Sequence, residues 1–223
     1  RLSERAYRVY DDGDDADFET PIAFIRTDAD DTDRYMALVN ANGQSTSDGL
    51  IFKTTNTAPL TGWTQDNIAN SPTAAMTNMT IFGQASSHDR LIVAKSTDLT
   101  MLNAGSWTAS WWQTTLGQSA LSAVPHYVYN FGNLLLVPDG NVLHVIDDSL
   151  VVKTNRIVLP KEFRIMWISD DGDRVYLGTK NLRNGEALVF PWAPTLGGNE
   201  TYDRPMRTYS SQTFGGVPVD GVM

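Results

Sequence analysis

The chain has 223 residues, with 26 Asp and Glu against 17 Lys and Arg for a formal net charge of −9, and no Cys. That balance argues against a nucleic-acid partner, because phosphate binding needs clustered Lys and Arg, and the lack of Cys removes disulfides, thiolate chemistry and Cys-based zinc. No run approaches the roughly 18 apolar residues of a membrane span, no signal peptide is visible, and a chain of this length buries roughly 70% of its unfolded surface without staples.

Residues 3–10 (SERAYRVY) alternate as one strand, with Tyr7 and Val9 on one side, and 11–19 (DDGDDADFE) follow as an acidic loop. Strands are then expected at 21–27 (PIAFIRT), 34–39 (RYMALV), 49–53 (GLIFK) and, short and outermost, 62–65 (GWTQ). An Asp-rich loop separates the first two, and Asn42-Gly43 is the tightest turn signal. The order then restarts at 78–83 (NMTIFG), 89–95 (DRLIVAK), 98–103 (DLTMLN) and 106–116 (SWTASWWQTTL). A third round runs 126–131 (HYVYNF), 132–137 (GNLLLV), 141–146 (NVLHVI) and 155–160 (NRIVLP). The fourth runs 163–169 (FRIMWIS), 173–178 (DRVYLG), 186–192 (EALVFPW) and 201–209 (TYDRPMRTY), and a fifth begins at Ser210. Helical turns are expected only at 73–79 and 118–124.

The second strands start at Arg34, Arg90, Asn133 and Arg174, at spacings of 56, 43 and 41 residues. Periods near 40–50 with four short strands per unit belong to propeller blades; the longer first interval is absorbed by the Thr-, Asn- and Pro-rich stretch 54–72. An antiparallel sheet with one wet face alternates apolar and polar residues. The second strands instead read YMALV, LIVA, LLLV and VYLG, nearly continuous apolar runs that imply cover on both faces. The expected fold is therefore all-β and β-propeller-like, built of four-stranded antiparallel blades, with stacked sandwich domains as the competing architecture. Residues 1–20 are read as the outer strand and acidic loop of a partial blade. Blades at 21–72, 73–124, 125–162 and 163–209 follow, and 210–223 start a truncated or chain-completed blade. Starting on an outer strand and ending after an inner one, the chain is expected to be a window from a six- or seven-bladed ring or to be completed by another chain. Closure of its two ends into a five-bladed ring is the alternative. A first residue of Arg1 rather than Met fits a chain processed or cut from something longer.

The turn Ser169-Asp170-Asp171-Gly172-Asp173-Arg174 needs Gly172 for a positive φ, and its Asp side chains are suited to bonding nearby backbone N–H groups. Pro138-Asp139-Gly140 and Ser47-Asp48-Gly49 do the same between second and third strands. The first of these turns comes near the Asp-box of sialidase-like propellers, with the spacing to Gly one residue short and Tyr176 where that motif has Trp. The Asp runs 11–17 and 28–33 offer oxygens to Ca²⁺ without EF-hand spacing, and read as solvated acidic loops. His88, His126 and His144 are too scattered for a zinc triad, and His144 reads as a packed strand residue. No G-x-S-x-G elbow occurs, and nothing selects a pair of acids for glycoside chemistry. No catalytic residue, metal site or cofactor is therefore expected. The residues singled out for contact with a partner or glycan are Trp107, Trp111 and Trp112: on a strand, period two sets Trp107 and Trp111 on one face and Trp112 on the other. Packing between blades competes for the same side chains, and Trp63, Trp167 and Trp192 are read as packed. Asn78-Met79-Thr80 and Asn199-Glu200-Thr201 match the N-glycosylation sequon.

The phrases GNLLLVPDGNVLHVID and SDDGDRVYLGTKNLRNGEALVFPW, followed by GGVPVDGV, resemble blades of propeller proteins from tailed bacteriophages and related environmental sequences. The resemblance covers roughly 127–222 and consists of blade grammar rather than active-site signatures. It implies a non-enzymatic virion component, capsid-associated, tail or receptor-binding, on a virion or extracellular surface. Its partners would be other protein chains and a host-surface glycan or protein, met through loops such as 54–72 and 194–202. A sugar-binding or sugar-processing propeller enzyme and a bacterial secreted scaffold are the alternatives.

Overall fold

A computed structural model describes residues 20–26, 33–39, 49–55, 64–65, 76–85, 88–95, 97–103, 106–122, 126–153, 157–193 and 206–207. The expected strand at 3–10, the acidic loop at 11–19 and the loops 54–72 and 194–202 lie wholly or largely outside these residues, as does 210–223. The described residues are overwhelmingly strand and fall into four four-stranded antiparallel sheets. Each sheet is a meander in which consecutive strands are neighbours, the pattern that short polar turns between apolar runs produce. The first holds β1 (Thr20–Arg26), β2 (Asp33–Val39), β3 (Gly49–Thr55) and β4 (Thr64–Gln65). The second holds β5 (Met76–Ala85), β6 (His88–Lys95), β7 (Leu99–Asn103) and β8 (Ser106–Thr108). The third holds β9 (Tyr129–Phe131), β10 (Leu134–Asp139), β11 (Val142–Asp147) and β12 (Ile157–Val158). The fourth holds β13 (Phe163–Asp170), β14 (Val175–Asn181), β15 (Ala187–Trp192) and β16 (Met206–Arg207). The chain forms two compact units, Arg1–His126 and Tyr127–Met223.

In the first unit, β6 carries four consecutive residues, Leu91, Ile92, Val93 and Ala94, with no solvent exposure. Neighbours along a strand point to opposite faces, so this sheet is covered on both. The second unit repeats the feature at Leu135, Leu136 and Val137 of β10. Its core gathers Leu136, Leu143, Val145 and Ile157 from the third sheet with Ile165, Ile168, Leu177 and Phe190 from the fourth. Phe163 meets Phe190 edge to face, with centroids 5.3 Å apart. The runs LIVA and LLLV are thus covered on both faces as expected, whereas in VYLG the Tyr176 side chain stays partly exposed.

Three expectations are corrected. The strand expected over 106–116 ends at Thr108, and Trp111–Thr115 is a π-helical turn. Ser110 enters it in the left-handed region at φ 52°, and Leu116 N–H reaches back to the Trp111 carbonyl at 3.0 Å. The helical turn expected at 73–79 is strand from Met76 onward, and none is found at 118–122.

Candidate functional site

The β13–β14 turn of the second unit is built as its sequence demands. Gly172 holds φ at +92°, where a Cβ would be strained. Asp170 Oδ1 accepts the Gly172 N–H at 2.8 Å, while Asp171 Oδ1 accepts the N–H groups of Asp173 and Arg174 at 3.0 and 2.8 Å. Both remaining carboxylate oxygens take a tyrosine. Tyr129 donates to Asp170 Oδ2 at 2.5 Å and Tyr176 to Asp171 Oδ2 at 2.7 Å. Burial, and then the Asp170 carboxylate, push the Tyr129 phenol up to about 12. The Tyr176 hydroxyl, and after it the backbone donors, hold Asp171 below the usual carboxylate range, and Tyr176 is raised in turn by Asp171. At the same end, Asp147 accepts Val151 N–H at 2.9 Å and Lys153 Nζ at 2.6 Å. Burial alone would raise Asp147, but the hydrogen bond from Lys153 and the backbone donors outweigh it. These carboxylates are satisfied by their own chain, which stiffens the turns; among the described residues no three acids or histidines converge on a metal position.

The opposite end of the same sheets carries the β10–β11, β12–β13 and β14–β15 turns. Gly140 C=O accepts the Ile165 N–H at 2.8 Å, and Asn141 Nδ2 donates to Leu159 C=O at 2.7 Å. Leu182 N–H donates to Glu162 C=O at 2.7 Å, so the β14–β15 turn rests on the segment entering β13. Asn181 Oδ1 accepts the Arg183 and Asn184 N–H groups at 2.9 and 3.4 Å, fixing the turn from within. On this rigid frame Leu182 is 56% exposed and Val158 of β12 is 51% exposed. His144 lies 3.9 Å from Asp139.

The structure buries all three tryptophans singled out in the sequence: Trp107 at 4%, Trp111 at 0% and Trp112 at 1% exposure. The pairing of Trp107 with Trp111 on one strand face is lost with the strand itself. Asp98, itself buried, accepts Leu99, Trp112 and Gln113 N–H at 2.7, 3.1 and 3.3 Å through Oδ1 and the Gln113 amide at 2.9 Å through Oδ2. Trp112 Nε1 donates to Ser119 C=O at 2.7 Å. Lys95 is pushed down by burial, against the pull of Asp98.

His126 is buried, its Nε2 against the Ser122 carbonyl, and His88 lies on β6. Asn78 of the first sequon lies on β5, while the second sequon and the run 11–17 fall outside the described residues. Three features escaped the sequence: the Tyr129/Asp170 pair, the Asp98 anchor, and Trp167 lying over Gly178. Only the last left a signal there, a lone Gly inside an apolar strand.

No protein-family model matches this chain, and no curated protein matches it. Among solved structures, the extracellular domain of a protein assigned as a one-component system of B. thetaiotaomicron is similar at a TM-score of 0.53 and 12% identity. That match covers 92% of this chain and 25% of the other, so the chain spans about a quarter of its neighbour's length, and the likeness speaks for the fold alone. The N-terminal domain of Nup159 aligns at a TM-score of 0.40 and 13% identity over 80% of this chain and 43% of that one, too loosely to carry an argument.

Proposed function

We propose that this chain is a non-enzymatic interaction module: a run of propeller-type blades holding rigid turns against other protein chains on a phage virion or another extracellular surface. The observation that carries the reading is the way the second unit's turns are fixed. Their Asp and Asn side chains bond their own backbone rather than converge on a pocket, and side chains such as Leu182 are left outward on a stiff frame. Rigid display lowers the ordering cost of association. Four consecutive meanders, with middle strands buried on both faces in β6 and β10, support blades as the repeating element. The virion placement rests on the resemblance of 127–222 to phage propeller blades. A surface placement agrees with the extracellular domain among the structural neighbours.

Cross-linking mass spectrometry on the chain in its native assembly tests this. Links from exposed lysines of the second unit, Lys161 among them, to a different protein are expected. Only intrachain links, together with turnover of a glycoside panel by the purified chain, would overturn it.

A further inference from the structure

We infer that the end of the second unit carrying the β14–β15 turn is its docking surface, and that it takes an acidic protein segment with an apolar anchor. This deepens the interaction reading above and rests on it.

Among the described residues, the two ends of the third and fourth sheets differ in the sign of their charge balance. At the β13–β14 end, Asp147, Asp148, Asp170, Asp171 and Asp173 stand against Lys153 and Arg174. At the β14–β15 end the described cations Lys161, Arg164, Lys180 and Arg183 outnumber the described carboxylates Asp139, Glu162 and Glu186 by one. A positive end is against the trend of a chain whose net charge is −9.

The state of these charges separates the ends further. At the acidic end Asp147, Asp170 and Asp171 already hold lysine, tyrosine or backbone donors. At the other end Lys161 and Arg183 are exposed and make no ion pair or side-chain hydrogen bond among the described residues. Unpaired cations on a preformed surface attract carboxylates, raising the association rate and rejecting basic partners.

Apolar contact is available beside them. Leu182 lies between exposed Arg183 and the buried Asn181, on a turn fixed by Asn181 Oδ1 and by its own N–H to Glu162. Val158 is exposed on β12, whose chain continues through Pro160 and Lys161 into that same Glu162. An aliphatic side chain held outward by a rigid turn, with a cation adjacent, can be buried at little entropic cost. Val151, exposed at the acidic end, has carboxylates for neighbours instead.

The test is fluorescence anisotropy with a labelled glutamate-rich peptide carrying a central Leu-Phe pair, against a lysine-rich peptide of the same design. The wild-type chain is expected to bind the acidic peptide, more weakly as salt is raised, and to ignore the basic one. K161E/R183E should lose at least about tenfold in affinity and K161Q/R183Q an intermediate amount, with L182S also weakened. K153E/R174E, at the far end, should bind as wild type does. Equal binding of both peptides, no binding of the acidic one, or full affinity in K161E/R183E would each overturn the assignment. The cross-links to a partner stand apart from these results: links that avoid Lys161 would leave the interaction reading intact and sink this docking surface alone.

Discussion

Tyr129 donates its phenolic hydrogen to Asp170 across 2.5 Å, joining the first strand of one sheet to the last residue of the first strand of the next. The bond spans 41 residues of sequence and leaves the other Asp170 oxygen to the Gly172 N–H. One carboxylate thus fixes both the turn and the neighbouring sheet.

The Tyr129 phenol is raised to about 12, so its contribution is complete below the unfolded value near 10 and is lost as pH climbs from there towards 12. Y129F should cost about 1–2 kcal/mol at neutral pH, since Asp170 is left short of a donor. Urea unfolding midpoints taken across alkaline pH would check both. The gap between wild type and Y129F should narrow above pH 10; a gap constant through that window removes the Tyr129/Asp170 bond as its cause.

Gly178 and Trp167 make a close fit of another kind, across a single hairpin. They pair across β13 and β14 beside a bulge, and a Cβ on Gly178 would overlap the indole. G178A should therefore destabilise by about 1–3 kcal/mol through overpacking, although Ala suits a strand no worse than Gly. The diagnostic is the double variant G178A/W167V, in which the methyl group has room and part of the loss should return. Additive losses in a double-mutant cycle would show that the indole is not what excludes the Cβ.

These pairs mark where sequence reading stops. Strand positions were legible because each depends on a local pattern: the runs LIVA, LLLV and VYLG lie within β6, β10 and β14, and Gly172 sits where a positive φ is needed. The tryptophan segment misleads because Trp107 and Trp111 are four residues apart, a spacing that suits alternate strand positions and successive helical positions alike. The group placed to break the strand is Asp98, nine residues upstream of Trp107, which accepts the Trp112 and Gln113 N–H groups, and hydrophobic periodicity does not register a polar contact of that kind. The partner of Tyr129 is likewise set by how two sheets meet, and the exposure of Leu182 by which end of its strand the turn falls on.

Not every charge pair carries weight. Lys153 reaches Asp147 at 2.6 Å, but the lysine side chain is 49% exposed. Solvent screening and side-chain entropy hold such a pair to about 0.5 kcal/mol. The depressed Asp147 pKa adds stability only above the unfolded value near 3.8, and this is lost as pH falls through the folded value. K153M should accordingly leave the neutral-pH midpoint almost unmoved while narrowing the acid-limb difference. A loss comparable to that of Y129F would mean the loop 147–153 is held by this pair.

Asp98 is the opposite case. It is 4% exposed and accepts three backbone N–H groups, two of them at the head of the π-helical turn that buries Trp111 and Trp112. Buried donors stripped of their acceptor cost about 1–3 kcal/mol each when no water reaches them. D98A should thus destabilise by about 3 kcal/mol and red-shift the tryptophan emission as the turn loosens. D98N keeps one oxygen for the backbone but sets an amide against the Gln113 amide at Oδ2, so its loss should be the smaller, about 1 kcal/mol. Adding Q113L to D98N removes that donor clash and should recover part of the difference. Were D98A to unfold with wild-type midpoint and emission, the turn would owe its shape to the packing of its indoles instead, and the strand-breaking role assigned to Asp98 would fall.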